Sequence, residues 1–230
     1  MLFDVVFDNA LANQIIRYAR FCANRNYVSN QLGNIAVRVP HSSDDRFGVI
    51  YTKRRGVSLE EMELSDVVIT DVESGRLLHG DIPPSIGHVL NRTIFQERPD
   101  VHAVIHLHVD ILIAYFSTRS ELDAFRYLSI DSPLVMKRNP YVLEKHINVE
   151  ADVGPLRDII QDTDCFVMPN HGVTALGKNL SEAYHRLNTL VAEVWRIYYA
   201  LQFSRDVDTN LLYLDTQEVE QLYRVADSIV

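Results

Sequence analysis

Arg98-Pro99-Asp100-Val101-His102-Ala103-Val104-Ile105-His106-Leu107-His108 is the stretch on which the reading of this chain turns. Its Arg-Pro-Asp opening stops whatever precedes it, and Val101 to Ile105 then reads as a buried strand. The strand runs out into two histidines spaced i, i+2. On an extended chain those side chains share a face, so two imidazoles can reach one metal ion. Hydrogen-bonded surface histidines would show the same spacing. A third histidine favours the metal: Asn170-His171-Gly172 follows a second apolar run, Cys165 to Met168, in a turn shaped by Pro169 and Gly172. Three histidines at strand ends make an N3 site open to water or substrate, as in catalytic rather than structural metal centres. Imidazole suits zinc first, with manganese, cobalt and iron as further candidates.

Upstream, Ser85 to Glu97 has a helical pattern, with Ile86, Val89, Leu90, Thr93 and Ile94 on one face. Before it, short β-prone runs are separated by turn residues: Ile35 to Val39, Gly48 to Thr52, Val67 to Thr70 and Arg76 to His79. Asp8 or Asn9 caps a first helix carrying Leu11, Ile15, Ala19 and Cys22. Downstream come helix Ile111 to Phe116, helix Glu150 to Gln161, strands Cys165 to Met168 and Val173 to Leu176, and a long helix from Ser181. The tail from Asp206 to Val230 is polar and ends in an amphipathic segment expected to pack on a surface. Helices at both ends with many short strands between them predict an α/β fold: a three-layer αβα sandwich around a central sheet. One domain spanning residues 1–230 is the expectation.

With 47% hydrophobic and 23% charged residues, disorder and low-complexity architectures are excluded. The formal charge of −9, with no cluster of Lys and Arg, speaks against nucleic acid as a partner. The Met1 to Asp8 stretch breaks its apolar run with acids, so neither signal peptide nor membrane span is expected. Cys22 and Cys165 lack any paired spacing and are expected to be reduced, buried thiols in a cytoplasmic protein.

In order, Gly33-Asn34-Ile35-Ala36-Val37-Arg38, the Arg98 to His108 stretch and Asn170-His171-Gly172 resemble the class II aldolase/adducin family, over roughly residues 10 to 200. The resemblance implies a mixed, largely antiparallel sheet, a divalent ion on His106, His108 and His171, and a homotetramer with sites at subunit interfaces. It implies a lyase that breaks a C–C bond in a small hydroxy-carbonyl, sugar-acid or sugar-phosphate substrate, by retro-aldol cleavage or decarboxylation, through an enediolate steadied by the ion. An adducin-like binding or assembly protein that keeps the fold without the chemistry is the alternative.

Departures from the family pattern are as informative. Where the resemblance implies an acid/base carboxylate, the chain reads Pro84-Ser85-Ile86-Gly87, and Asn91 stands where a histidine is usual. His88 is the candidate to carry the proton or to act as a fourth ligand, or it is a solvated or capping histidine. Gly33, Asn34 and Ser85 remain of the implied anion site. Its second turn reads Thr52-Lys53-Arg54-Arg55-Gly56, where Arg54 or Arg55 either binds an anion by its planar fork or is a solvated cation. Tyr127, nineteen residues after His108, matches an implied proton donor to a neighbouring subunit's site, and is otherwise a core tyrosine.

Overall fold

In the computed structural model, residues 6–41, 44–118, 125–144, 147–150, 153–204 and 210–229 are described. Residues 1–5 of the amino-terminal stretch and 206–209 and 230 of the tail lie outside that set. Eight strands form one sheet: β1 Asn34–His41, β2 Asp44–Lys53, β3 Val67–Asp71, β4 Leu77–His79, β5 Ala103–Leu107, β6 Tyr141–Val142, β7 Cys165–Met168 and β8 Gly172–Gly177. Their order is β4-β3-β2-β1-β5-β8-β7-β6, and every pairing is antiparallel except β6 with β7. The sheet is therefore mixed and largely antiparallel, as the family resemblance implied.

Period-two alternation assigns the two faces. Ile35, Ala103, Ile105, Leu107, Val173 and Ala175 enter one apolar cluster, which α1 (Asn9–Asn24), α3 (Asp110–Ser117) and α6 (Leu180–Phe203) cover. Ala36, Val104 and Leu176 face the other way, under α2 (His88–Glu97) and α5 (Leu156–Asp162). That makes three layers. All five residues of β5 are buried because it lies mid-sheet between β1 and β8.

Several boundaries differ from the sequence reading. Helix α2 starts at His88 rather than Ser85, because Gly87 before it has φ 90°, a left-handed backbone that cannot continue a helix. Helix α5 starts at Leu156, after Gly154-Pro155, rather than at Glu150. Strand β5 begins at Ala103, two residues late. The six-residue α4 (Asp131–Met136) and two-residue β6 were not expected, being too short to show a period. The tail forms α7 (Thr216–Ile229), which buries Ala226 fully and packs Val219 and Tyr223 against the core.

Candidate metal centre

The β5–β8 register sets His106 opposite Thr174 and Leu107 opposite Val173, so His171, just before β8, arrives beside the end of β5. The turn that delivers it is fixed locally. Met168 O accepts from His171 N at 3.1 Å around Pro169 and Asn170, whose φ is 60°. Proline then a positive-φ residue is a type II arrangement. Gly172 then has no alternative: a Cβ there would lie 2.4 Å from Leu107 O and 3.0 Å from the His108 ring. Only glycine permits that approach of β8 to β5.

One ligand atom each from His106, His108 and His171 lies within 4.8 Å of the others, and among the described residues no carboxylate joins the group. The His106 and His108 Nε2 atoms are 3.2 Å apart. Two nitrogens bound to one tetrahedral zinc would stand about 3.3 Å apart, so this pair fits such an ion. Thr174 Oγ1, 2.9 Å from His106 Nδ1, holds the far side of that ring and leaves Nε2 as the ligand atom. Burial first, then the neighbouring imidazoles, holds His106 well below the usual histidine range and lowers His108 to about 4. Both are neutral at pH 7, the form with a lone pair to offer. The residues present fit a divalent ion.

Asn34 faces His106 across the β1–β5 pairing, and its amide begins a chain. Asn34 Nδ2 donates to Ile86 O at 3.1 Å, and Asn91 Nδ2 donates to Asn34 Oδ1 at 2.8 Å. The Ile86 carbonyl can only accept, so both amide orientations are fixed. Asn91 is 1% exposed, and its Oδ1 is left buried without a partner. A Cβ on Gly87 would stand 3.2 Å from Asn34 Nδ2, so the Asn34 carboxamide crowds the place of the implied carboxylate.

The anion-site residues are brought together. Ser85 N donates to Lys53 O at 2.9 Å, Ser85 Oγ lies 3.4 Å from Gly33 O, and Arg54 bridges Pro84. Arg54 is half-buried and Arg55 exposed, and each has a carboxylate partner in the chain itself. Arg54 Nε donates to the buried Asp66 at 2.6 Å, and Arg55 pairs with Glu150 at 3.0 Å on the surface. Lys53 is the residue sequence reasoning passed over. It is fully buried, donates to Gln31 O and Val57 O at 2.6 Å each, and is lowered to about 8 by desolvation, then by Arg54.

His88 and Tyr127 lie outside the ligand group. His88 is not in the ligand group; its ring nitrogens are buried without partners, and burial, then the Arg92 guanidinium, lowers it to about 4. A fourth-ligand role has no support from this placement, and a proton carrier working near neutrality is poorly served by that value. Tyr127 is 1% exposed, with its hydroxyl 3.2 Å from that of Tyr223. It packs in the core of its own chain. Tyr223 likewise packs on its own chain.

Fold and cluster together define an α/β protein with a candidate three-histidine metal centre at one rim of its sheet. The profile of the family described as Class II Aldolase and Adducin N-terminal domain matches residues 13–199, and the chain belongs to that family. It is 26% identical over 195 residues to an L-fuculose phosphate aldolase of Methanococcus maripaludis, covering 82% of this chain and 96% of that one. It is also 26% identical over 221 residues to a 3-oxo-tetronate 4-phosphate decarboxylase of Haemophilus influenzae, covering 94% and 97%. The crystal structure of YgbL from Klebsiella pneumoniae shares the fold, with a TM-score of 0.78 at 21% identity over 95% of this chain and 100% of that one.

Proposed function

We propose that the chain is a divalent-metal-dependent lyase that decarboxylates a phosphorylated 3-oxo sugar acid, with His106, His108 and His171 as ligands and zinc as the ion. One observation carries the choice of decarboxylation: the space beside Gly87 holds the Asn34 amide, to which Asn91 donates from behind, and a carboxamide neither takes nor gives a proton near neutrality. Aldol chemistry needs a group that moves a substrate proton. In decarboxylation the bond to the carboxylate carbon breaks, its electron pair passes toward the 3-oxo oxygen, carbon dioxide leaves, and water returns a proton to carbon. When bound, the ion supplies Lewis-acid polarisation of that oxygen.

The chain's own groups bind and orient. Gly33, Asn34 and Ser85 take the phosphate, and Asn91 Oδ1 accepts a hydrogen bond from a substrate hydroxyl, satisfying an otherwise orphaned acceptor. The decarboxylase relative, aligned over 94% of this chain, supports the substrate class. A homotetramer and a cytoplasmic location belong to the same reading. Trp195, Tyr198, Tyr199 and Phe203 stand exposed on α6 and call for cover, and the free, buried Cys22 and Cys165 suit a reducing compartment.

The test is a screen of zinc-loaded protein against phosphorylated 3-oxo acids and sugar phosphates, following carbon dioxide and aldehyde separately. Carbon dioxide release is expected, and His88→Asn should change it less than about tenfold, against the hundredfold or more typical for loss of a general acid–base group. Aldehyde without carbon dioxide would make the chain an aldolase. Full metal with neither product would favour the binding or assembly alternative.

A further inference from the structure

The sheet has a second polar rim, opposite the histidines. There the start of β5, the end of β8 and the start of β7 meet the end of α4 and the face of α7 around a cavity of about 350 Å³. The five residues of β5, at about 3.3 Å each, keep it roughly 15 Å from the histidine rim. Its walls carry five cations and four carboxylates, and these are unevenly placed.

At the back, Arg98 and Arg186 are 6% and 5% exposed and share the buried Asp164, at 2.8 and 3.2 Å. Arg98 also holds Asp100 at 2.7 Å and Arg186 holds Glu182 at 2.8 Å, so three of the four carboxylates are spent there. Arg186 Nε nevertheless stays buried without an acceptor. At the mouth stand Lys137, Arg138 and Lys178, with Asp227 of α7 as the remaining carboxylate, bound to Lys137 at 2.8 Å. Arg138 donates to a main-chain oxygen, Gln161 O. Among the described residues neither Arg138 nor Lys178 has a carboxylate in ion-pair contact. All three line the same cavity as Asp227, and they hold its carboxyl below its ordinary value, Lys137 foremost.

We propose that this cavity is a second ligand site, for a small phosphomonoester, whose phosphate takes the place that the Asp227 carboxylate holds in the free protein. With Asp227 displaced, the five cations of the cavity face three carboxylates, a surplus of two positive charges, which matches the charge of about −1.5 to −2 on a phosphomonoester near pH 7. A monocarboxylate would leave it half neutralised. Arginine and lysine together are the usual donors to such a group. The volume lies at the lower end of small-molecule sites, enough for a phosphate and a few carbons. Asp227 is 87% exposed on α7, so it can swing away without unpacking the core.

The site stands apart from the proposed catalytic reading, and the test keeps them separate. Glycerol 1-phosphate is titrated into the zinc-loaded full chain by calorimetry at constant ionic strength. The double variant Arg138→Gln/Lys178→Gln should weaken one class of binding tenfold or more, while Arg20→Gln, an exposed cation elsewhere, leaves it unchanged. Asp227→Asn, which removes the internal competitor, should tighten the same class about threefold or more. Ser85→Asp, at the histidine rim, should leave that class intact. The proposal is overturned if the double variant binds as the parent does, if Asp227→Asn binds no tighter, or if Ser85→Asp abolishes all binding.

Discussion

Helices α2 and α6 begin at opposite rims of the sheet, and they begin differently. At the start of α6, Asn179 accepts from Glu182 N at 2.9 Å while Glu182 accepts from Lys178 N at 2.6 Å, so a first-turn donor and the amide just before the cap are both met. At the start of α2, Gly87 gives no side-chain cap, and the first turn carries buried polar atoms without partners on His88 and Asn91. Unmet buried groups cost stability, so a fold that leaves them unmet at the start of α2 marks that start as a place where function sets the sequence against stability. The histidines stand at that same rim.

The sharpest way to break this comparison is to remove the ligands. His106→Ala or His171→Ala should lower zinc affinity at least a hundredfold, measured by competition with a chromophoric chelator, and leave the purified protein nearly metal-free. Parental zinc content in both variants would remove the metal centre from the account. Thr174→Val asks less. It deletes the hydroxyl on His106 Nδ1 while keeping the shape, and a lost outer partner of this kind costs about 10- to 100-fold in metal affinity.

Acid should separate the two rims next. His88 and His108 lie near 4 in the folded chain, below the ordinary value of about 6.5 that they regain on unfolding. Above about pH 6.5 neither state takes up these protons. As the pH falls from there toward 4, the unfolded chain binds protons that the folded chain refuses, so stability is lost over that window. Metal-free protein should therefore melt lower at pH 5 than at pH 7.5, by on the order of 5 °C, and His88→Asn should flatten part of that slope. An unchanged slope in His88→Asn would mean that its ring is solvated.

What the sequence made legible follows from range. The strand ending in His106 and His108, the turn carrying His171 and the cap at Asp8 are local patterns, and the structure holds them with shifts of a residue or two. Thr174 could not be seen as the partner of His106 without the β5–β8 register, which nothing local in either strand fixes. The partners of Arg54 and Arg55 were hidden for the same reason: Asp66 and Glu150 are brought to them by tertiary packing. Lys53 escaped notice because a lysine in a turn reads as solvated, whereas the Gln31 and Val57 carbonyls bury it. Tyr127 matched by spacing alone, and spacing does not report that Tyr223 covers its hydroxyl.

The smallest effect tests the two helix starts directly. Asn179→Ala removes the cap of α6 and should cost about 1 kcal/mol, a drop of about 2–4 °C in Tm for a chain of this size. Gly87→Ala should cost a similar amount for a different reason. Its φ of 90° is strained for any side chain, by about 1–2 kcal/mol, and the new Cβ would press on the Asn34 amide at 3.2 Å. The two variants thus match in stability and part in their second readout. Asn179→Ala should leave zinc affinity and ligand binding at the histidine rim unchanged, whereas Gly87→Ala, by moving Asn34 and with it Asn91, should weaken phosphate-ester binding there. A carboxylate installed by Gly87→Glu inherits the same strain and crowding, so it does not simply return an acid to the site. Should Gly87→Ala instead raise the melting temperature and leave binding untouched, the bare start of α2 is only a poorly capped helix, and the contrast with α6 carries no functional meaning.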